Sequence, residues 1–400
     1  MKTILPKIKF KNFYEKWNRK KLQSIAPLRG GFAFKSEEFQ DSGIPIVRIS
    51  NIKFDGTIGG EFEYYSKINP DENFVLKGRA ILLAMSGATT GKIAMLDSEE
   101  EYYQNQRVGY FQNTGAVAYD FLSSVLQTKE FTNQLNSVLV AGAQPNISSK
   151  EIDSFVFYIP ESLDEQSAIG SLFRTLDELL ASYKDNLANY QSLKATMLSK
   201  MFPKAGQTVP EIRLDGFEGE WKKDTLEPYL TESRISGDTG LTAKKITVKL
   251  WGKGVIEKEE KYAGSSNTQY FVRKAGQFIY SKLDFQNQAF GIIPNELDGY
   301  QSTLDLPSFD IQNIDPKFLL EYVMRREFYE YQGLIANGSR KAKRIHPEDF
   351  LVMPVRIPSL EEQQAIGSYF SNLDNLINSH QEKISKLETL KKKLLQDMFI

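Results

Sequence analysis

Cysteine is missing from all 400 positions, which removes disulfides, thiolate zinc sites and a thiol nucleophile. Histidine occurs only twice, too seldom for a histidine-rich metal centre. No run approaches the roughly 18 apolar residues of a membrane span. The opening MKTILPKIKFKNFYEKW also lacks the unbroken apolar core of a signal peptide, so the expectation is a cytoplasmic chain. Charge of one sign is lacking too: 50 basic and 51 acidic side chains leave a net charge of −1, so any DNA-binding surface has to be local. What is present, 41% hydrophobic residues and 27 glycines, is the composition of a folded chain. Its length exceeds one hydrophobic core and implies two or three domains.

The chain contains an internal repeat. Sliding Ser162–Phe202 onto Ser359–Phe399 at a constant offset of 197 gives 18 identities in 41 positions. Chance would supply about 2 or 3. The shared letters include Glu165/Glu362, Gln166/Gln363, Ala168-Ile169-Gly170 with Ala365-Ile366-Gly367, and Met201-Phe202 with Met398-Phe399. A weaker echo at offset 204 matches Pro6, Ile8, Phe13, Trp17 and Leu22 with Pro210, Ile212, Phe217, Trp221 and Leu226. Each half therefore opens and closes alike. Between these ends the halves differ, one running GGFAFKSEEF and MSGATTGK, the other LTAKKITVKLWGKG and SKLDFQNQAFG.

The repeated segment reads as one long helix per half. Ile169, Phe173, Leu176, Leu180, Tyr183, Leu187, Tyr190, Lys194, Met197 and Met201 advance by alternating fours and threes, the spacing of a coiled-coil seam. The second copy supplies Ile366, Phe370, Leu373, Ile377, His380, Ile384, Leu387, Lys391, Leu394 and Met398. Only Lys194, Lys391 and His380 break the apolar line. Leu179, Leu193, Leu376, Leu390 and Leu395 widen the stripe, as expected where a helix also packs on a globular body. Ser162 and Ser359 stand near the N-caps with acidic residues in the first turn. Pairing of the two helices, antiparallel and about a pseudo-twofold axis, is the economical arrangement.

The intervening stretches carry short β-branched and aromatic runs at 44–49, 80–85, 155–159, 246–250, 277–280 and 353–357, with helices expected at 118–127 and 316–331. The fold class is α+β: two domains, at 1–160 and 204–358, joined by long helices at 161–203 and 359–400. At offset 198, Gly78, Ile81, Ile147 and Pro160 fall on Gly276, Ile279, Ile345 and Pro358, so the two domains are expected to share a fold despite unlike loops.

These residues carry a resemblance over nearly the whole chain. The helix starts LDEQSAIGSLFRTLDELL and LEEQQAIGSYFSNLDNLI, each after IP, the GGFAFKS opening, SGATTGK, AGAQPNIS, YSKLDFQNQAFGI and the repeat itself resemble the specificity subunit of a Type I restriction-modification system. The resemblance implies two target-recognition domains that read an asymmetric bipartite site in double-stranded DNA. It also implies two helical regions that set the spacing and bind methyltransferase subunits, two of them, with restriction subunits joining through the complex. It further implies no cofactor in this chain, with S-adenosylmethionine, ATP and magnesium in the partners. The second half lacks a GGFAFKS counterpart, so contact positions do not transfer between halves.

Phosphates are bound by Lys, Arg, amides and small polar groups, and base edges by Arg, Lys, Asn and Gln. Three places fit: Ser86, Thr89, Thr90 and Lys92 in a glycine-containing loop after a strand; Gln144 and Asn146 around Pro145; and Ser339, Arg340, Lys341, Lys343 and Arg344, the strongest phosphate clamp. Weaker candidates are Arg29, Lys35, Arg48 and Asn51 in the first domain and Lys282, Gln286, Asn287 and Gln288 in the second. Catalytic and metal-binding residues are not expected. Ser86–Lys92 only resembles the end of a P-loop, since serine stands where its first glycine belongs. The Asn-Pro-Pro-Tyr type segment of amino methyltransferases is absent, so catalysis would fall to another protein. The alternative is a coiled-coil interaction protein with two ligand-binding domains and no DNA role.

Overall fold

A computed structural model describes residues 6–140, 146–240, 242–259, 265–334 and 344–399. The chain forms two compact units, residues 1–184 with 383–400, and residues 185–382. The long helices Leu163–Lys200 and Leu360–Asp397 each contribute one part to either unit.

Within each unit the helix segments run antiparallel. In the first unit Lys184 pairs with Glu388 at 2.8 Å and Asp177 with Lys391. In the second, Lys194 pairs with Asp374 at 2.7 Å, and Tyr190 packs edge-on against His380 at 5.2 Å. Two of the three interruptions of the seam are thereby explained. Lys391–Asp177 and Lys194–Asp374 are the same pair in the two copies of the repeat, each lysine reaching the aspartate of the other copy. The third, His380, is half-buried against tyrosine and has Nδ1 2.9 Å from the Leu376 carbonyl. Ile169, Phe173, Leu176, Leu180, Ile366, Phe370 and Leu373 are buried, and Leu187, Ile377 and Ile384 half-buried, as the seam requires. Of the five flanking leucines, Leu395 packs against the first core as expected, and the other four differ. Leu179, Leu193, Leu376 and Leu390 are 41, 37, 41 and 44% exposed.

Lys194 also bonds Glu321 at 3.2 Å. Burial pushes the Glu321 carboxyl above the ordinary carboxylate range, opposed by Lys194. A carboxyl raised on folding contributes most below its unfolded pKa, and loses that contribution as pH rises through the interval up to its folded value. Glu321→Gln is therefore expected to flatten this loss and to be neutral or stabilising at neutral pH. Melting curves at acidic and neutral pH test it, and an equal drop at both would show that Lys194 needs the second carboxylate.

The residues shared by the repeat build one joint twice. In the first unit Trp17–Lys21 pairs antiparallel with Val156–Pro160. Gln166 then donates from Nε2 to the Pro160 carbonyl at 2.8 Å and accepts the Ala118 amide at 2.9 Å. In the second, Lys222–Thr225 pairs with Pro354–Ile357. Gln363 donates to the Pro358 carbonyl at 3.0 Å and accepts the Asp315 amide at 2.9 Å. Both glutamines are buried. Gly170 and Gly367 let the helix approach the same turn: a Cβ would lie 2.5 Å from the Phe121 nitrogen at one and 2.6 Å from Asp315 Oδ1 at the other. Gln166→Ala or Gln363→Ala leaves an amide and a carbonyl unpaired, an expected loss of about 1–3 kcal/mol by equilibrium unfolding. A loss below about 0.5 kcal/mol at both would mean that water replaces the glutamine.

Each joint closes on an aromatic cluster. Phe399 packs against Trp17, Phe121 and Phe173 at 6.0, 5.7 and 5.7 Å. Phe202 packs against Trp221, Phe318 and Phe370 at 5.8, 5.6 and 6.2 Å. In both units the end of one long helix seals the base of the other.

The sheets share an order. The first unit runs Leu28–Arg29, Val108–Phe111, Val75–Ala84, Ile93–Gln104, Ile44–Val47, Glu63–Tyr65. The second runs Leu230–Ser233, Ser308–Ile311, Phe278–Tyr280, Phe290–Ile292, the same first four places. Its long hairpin continues as Gln269–Val272 with Gln301–Ser302 in a separate sheet. The break falls at Gly276 (φ 82°), the partner of Gly78 (φ 67°), where the first unit shows only a register shift. Ile44–Val47 runs parallel to Ile93–Gln104, and the bridge from Lys245 to Gln301 repeats that sense. Where one helix was expected over 316–331 there are two, Pro316–Val323 and Arg326–Gly333. Arg325 takes an extended backbone (ψ 142°) that sends its buried guanidinium over the rings of Tyr322 and Phe202, at 4.1 and 4.5 Å.

Candidate nucleic-acid interface

The two unlike loops flagged in the sequence occupy one topological place. Residues 85–92 link Val75–Ala84 to Ile93–Gln104, and 281–289 link Phe278–Tyr280 to Phe290–Ile292.

In the first unit the loop is tied to itself. The Gly91 amide reaches the Ala84 carbonyl at 2.8 Å, and Lys92 N reaches Thr89 O at 2.9 Å. Thr90 Oγ1 donates to the Gly87 carbonyl at 2.6 Å and Thr89 Oγ1 to Ile49 O at 3.0 Å. Gly91 (φ 82°) is required twice over, since a Cβ there would also sit 2.6 Å from a Leu135 methyl. Ser86 is buried, with its hydroxyl unpaired among the described residues. Lys92 lies 4.8 Å over the ring of Phe54, which is 72% exposed. Sequence reasoning passed over Phe54; the signal was an aromatic in a Lys-Phe-Asp-Gly turn. Asn146 is exposed. Gln144 lies outside the described residues.

Two first-unit candidates hold the fold together instead. Asn51 is buried, accepting from Arg48 N at 2.9 Å and donating to the Gly59 and Glu61 carbonyls. Arg29 is half-buried, donating to the Glu72 and Val75 carbonyls at 2.9 Å and to Gln104, over the Tyr110 ring. These bonds consume the groups a base edge would need. Arg48 pairs with Glu63 at 3.2 Å, and exposed Lys35 pairs with Glu38 at 3.0 Å.

In the second unit Lys282 is half-buried, and burial lowers its pKa from the usual lysine value. Gln286 is exposed, Asn287 donates to Asp284 at 3.3 Å, and Gln288 adopts a left-handed backbone (φ 54°). Arg344 pairs with Asp305 at 3.3 Å. Ser339, Arg340, Lys341 and Lys343 lie outside the described residues, so the basic cluster is represented by Arg344 alone. Groups of acidic or imidazole side chains able to hold a metal are absent among the described residues.

The comparisons match this architecture. A family model described as the Type I restriction modification DNA specificity domain matches residues 14–189 and 263–389. The chain belongs to that family. Over 174 residues it is 29% identical to the Type I restriction enzyme MjaVIII specificity subunit of Methanocaldococcus jannaschii, covering 42% of this chain and 40% of the relative. Over 175 residues it is 29% identical to the EcoAI specificity subunit of Escherichia coli, covering 41% and 30%. The chain thus spans less than half the length of the curated relatives it matches. The solved S subunit of a Type I restriction-modification system from M. genitalium shares the fold, with a TM-score of 0.65 at 14% identity over 99% of both chains.

Proposed function

We propose that this chain is the non-catalytic, sequence-reading subunit of a Type I restriction-modification system. In this reading it recognises an asymmetric bipartite site in double-stranded DNA, one half-site per unit, and directs separate methyltransferase and restriction subunits to it. The observation that carries it is the contrast between a joint repeated bond for bond and loops 85–92 and 281–289, which share a place but not a sequence. A scaffold kept constant beneath different polar loops suits a molecule that reads two different sequences in one manner. Thr89, Thr90, Lys92, Asn146, Lys282, Gln286, Asn287, Gln288 and Arg344 are the contact candidates whose positions support this role, and Ser86 lies buried beneath the first loop. Gln144, Ser339, Arg340, Lys341 and Lys343 join them by chemistry alone.

The exposed pairs Leu179/Leu376 and Leu193/Leu390 offer equivalent outer surfaces on the two helices, suited to two methyltransferase subunits. S-adenosylmethionine, ATP and magnesium would belong to those partners. The role is cytoplasmic and needs no membrane; among the described residues no helix is long and apolar enough to cross one.

A single-molecule methylation map of genomic DNA, from cells with and without this gene beside an active methyltransferase subunit, tests the reading. A split motif with methyladenine in both halves should appear only with the gene. A map that does not change with the gene would falsify it.

A further inference from the structure

Beside the polar loops, both units carry a second element at one topological place. In each, the strand on the far side of the central hairpin runs into a tight turn: Ile44–Val47 into the turn closed by the Ile52–Ile58 bridge, and Ile246–Val248 into the hairpin with Val255–Glu257. The tips are Lys53-Phe54-Asp55-Gly56 and Lys249-Leu250-Trp251-Gly252-Lys253-Gly254. They share no alignment, yet both raise one large aromatic into solvent, Phe54 at 72% and Trp251 at 57% exposure.

Both tips are also fixed to the loop proposed to read DNA. Lys92 sits over the Phe54 ring in the first unit. In the second, the Trp251 and Gly252 amides donate to the Asn287 and Gln288 carbonyls at 2.8 and 3.0 Å. At this junction two non-glycine residues are held left-handed, Trp251 at φ 60° and Gln288 at φ 54°. Such backbone persists only where the surroundings over-determine it, and it gathers at binding sites. An exposed aromatic side chain alone is ordinary. One that stands at a turn tip beside a polar loop in both domains, and that in the second is held there by strained backbone, is not explained by packing.

The surroundings favour nucleic acid as the occupant. Lys249 and Lys253 flank Trp251, both exposed and without a side-chain partner among the described residues. At the first tip the exposed Asp55 carboxylate accepts from Thr57 N and Oγ1 at 3.0 and 2.7 Å, bonds that fix it within the turn and favour its charged form, so the cation on this side is Lys92. An aromatic face with flanking cations suits stacking or wedging against bases while phosphates meet lysine.

We propose that Phe54 and Trp251 are base-contacting wedges, one for each half-site. The inference rests on the DNA-reading role proposed above. The test uses the full chain assembled with its methyltransferase subunits and a labelled duplex bearing the mapped target, with binding read by fluorescence anisotropy. Trp251→Ala and Phe54→Ala should each weaken binding about ten- to a hundredfold, the range for removing one stacked base contact. Trp251→Phe should restore most of the loss. Scrambling one half-site should abolish the effect of one variant, and scrambling the other half-site that of the other. Because both side chains stand in solvent, melting temperatures should match the parent, separating loss of contact from loss of fold. If the complex discriminates its target and both alanine variants bind within about twofold of the parent, the wedge assignment fails and the DNA-reading role stands. If target and scrambled duplex bind alike, both fail together.

Discussion

Phe202→Ala should be among the most destabilising single truncations in the second unit, with an expected loss of about 3–5 kcal/mol. Phe202 is 1% exposed and touches Trp221, Phe318, Tyr322 and Phe370 at once, with the Arg325 guanidinium 4.5 Å over its ring. Truncation empties the centre of that cluster and uncovers a buried cation in the same step. The surrounding rings belong to a strand end, a short helix and a long helix, so no single element can collapse into the space. Denaturant unfolding followed by tryptophan fluorescence reads the effect through Trp221, which is buried beside the cavity. A loss below about 1 kcal/mol would show that the cluster repacks and that Phe202 is not its keystone.

On the bipartite reading proposed above, lengthening both long helices together should change the distance between half-sites and leave their sequences alone. Seven residues are two helical turns, about 10.5 Å of axis, or about three base pairs at the rise of a duplex. Seven is also the seam period, so an insertion within 187–195 of the first helix, matched at 384–392 of the second, preserves the spacing of apolar positions. The methylation map of cells carrying this variant should show the original half-sites with a spacer longer by about three base pairs. A four-residue insertion, which rotates the seam off its partner, should instead abolish methylation. An unchanged spacer after the seven-residue insertion would remove the helices from the role of ruler.

Much of this architecture was readable in the chain because its repeat is written in residues with local rules. The fours and threes of the seam, the serine caps and the 197-residue offset gave both helices to within two residues at their starts and three at their ends. What escaped were facts about neighbours distant in sequence. Nothing local marks Asp177 as the partner of Lys391, or shows that Arg325 turns the backbone under Phe202 and splits a helix. The contact candidates fared unevenly for the same reason. Residue chemistry proposed Arg29 and Asn51, but both donate to main-chain carbonyls 8 to 46 positions away, and those hold them in the fold. Phe54 and Trp251 went unnoticed because an aromatic residue in a sequence reads first as core, and only its tight glycine-containing turn shows it raised into solvent.

The reciprocal ion pairs have a consequence for how such a chain can change over generations. Asp177 answers to Lys391 and Asp374 to Lys194, so each copy of the repeat carries the partner for a residue in the other. A substitution at any of these four positions unpairs a residue in the other copy. The loops at 85–92 and 281–289 have no such cross-reference and are free to diverge. On the DNA-reading role proposed above, mutational drift would be directed into the reading loops, and the lineage could acquire a new target without renegotiating its frame.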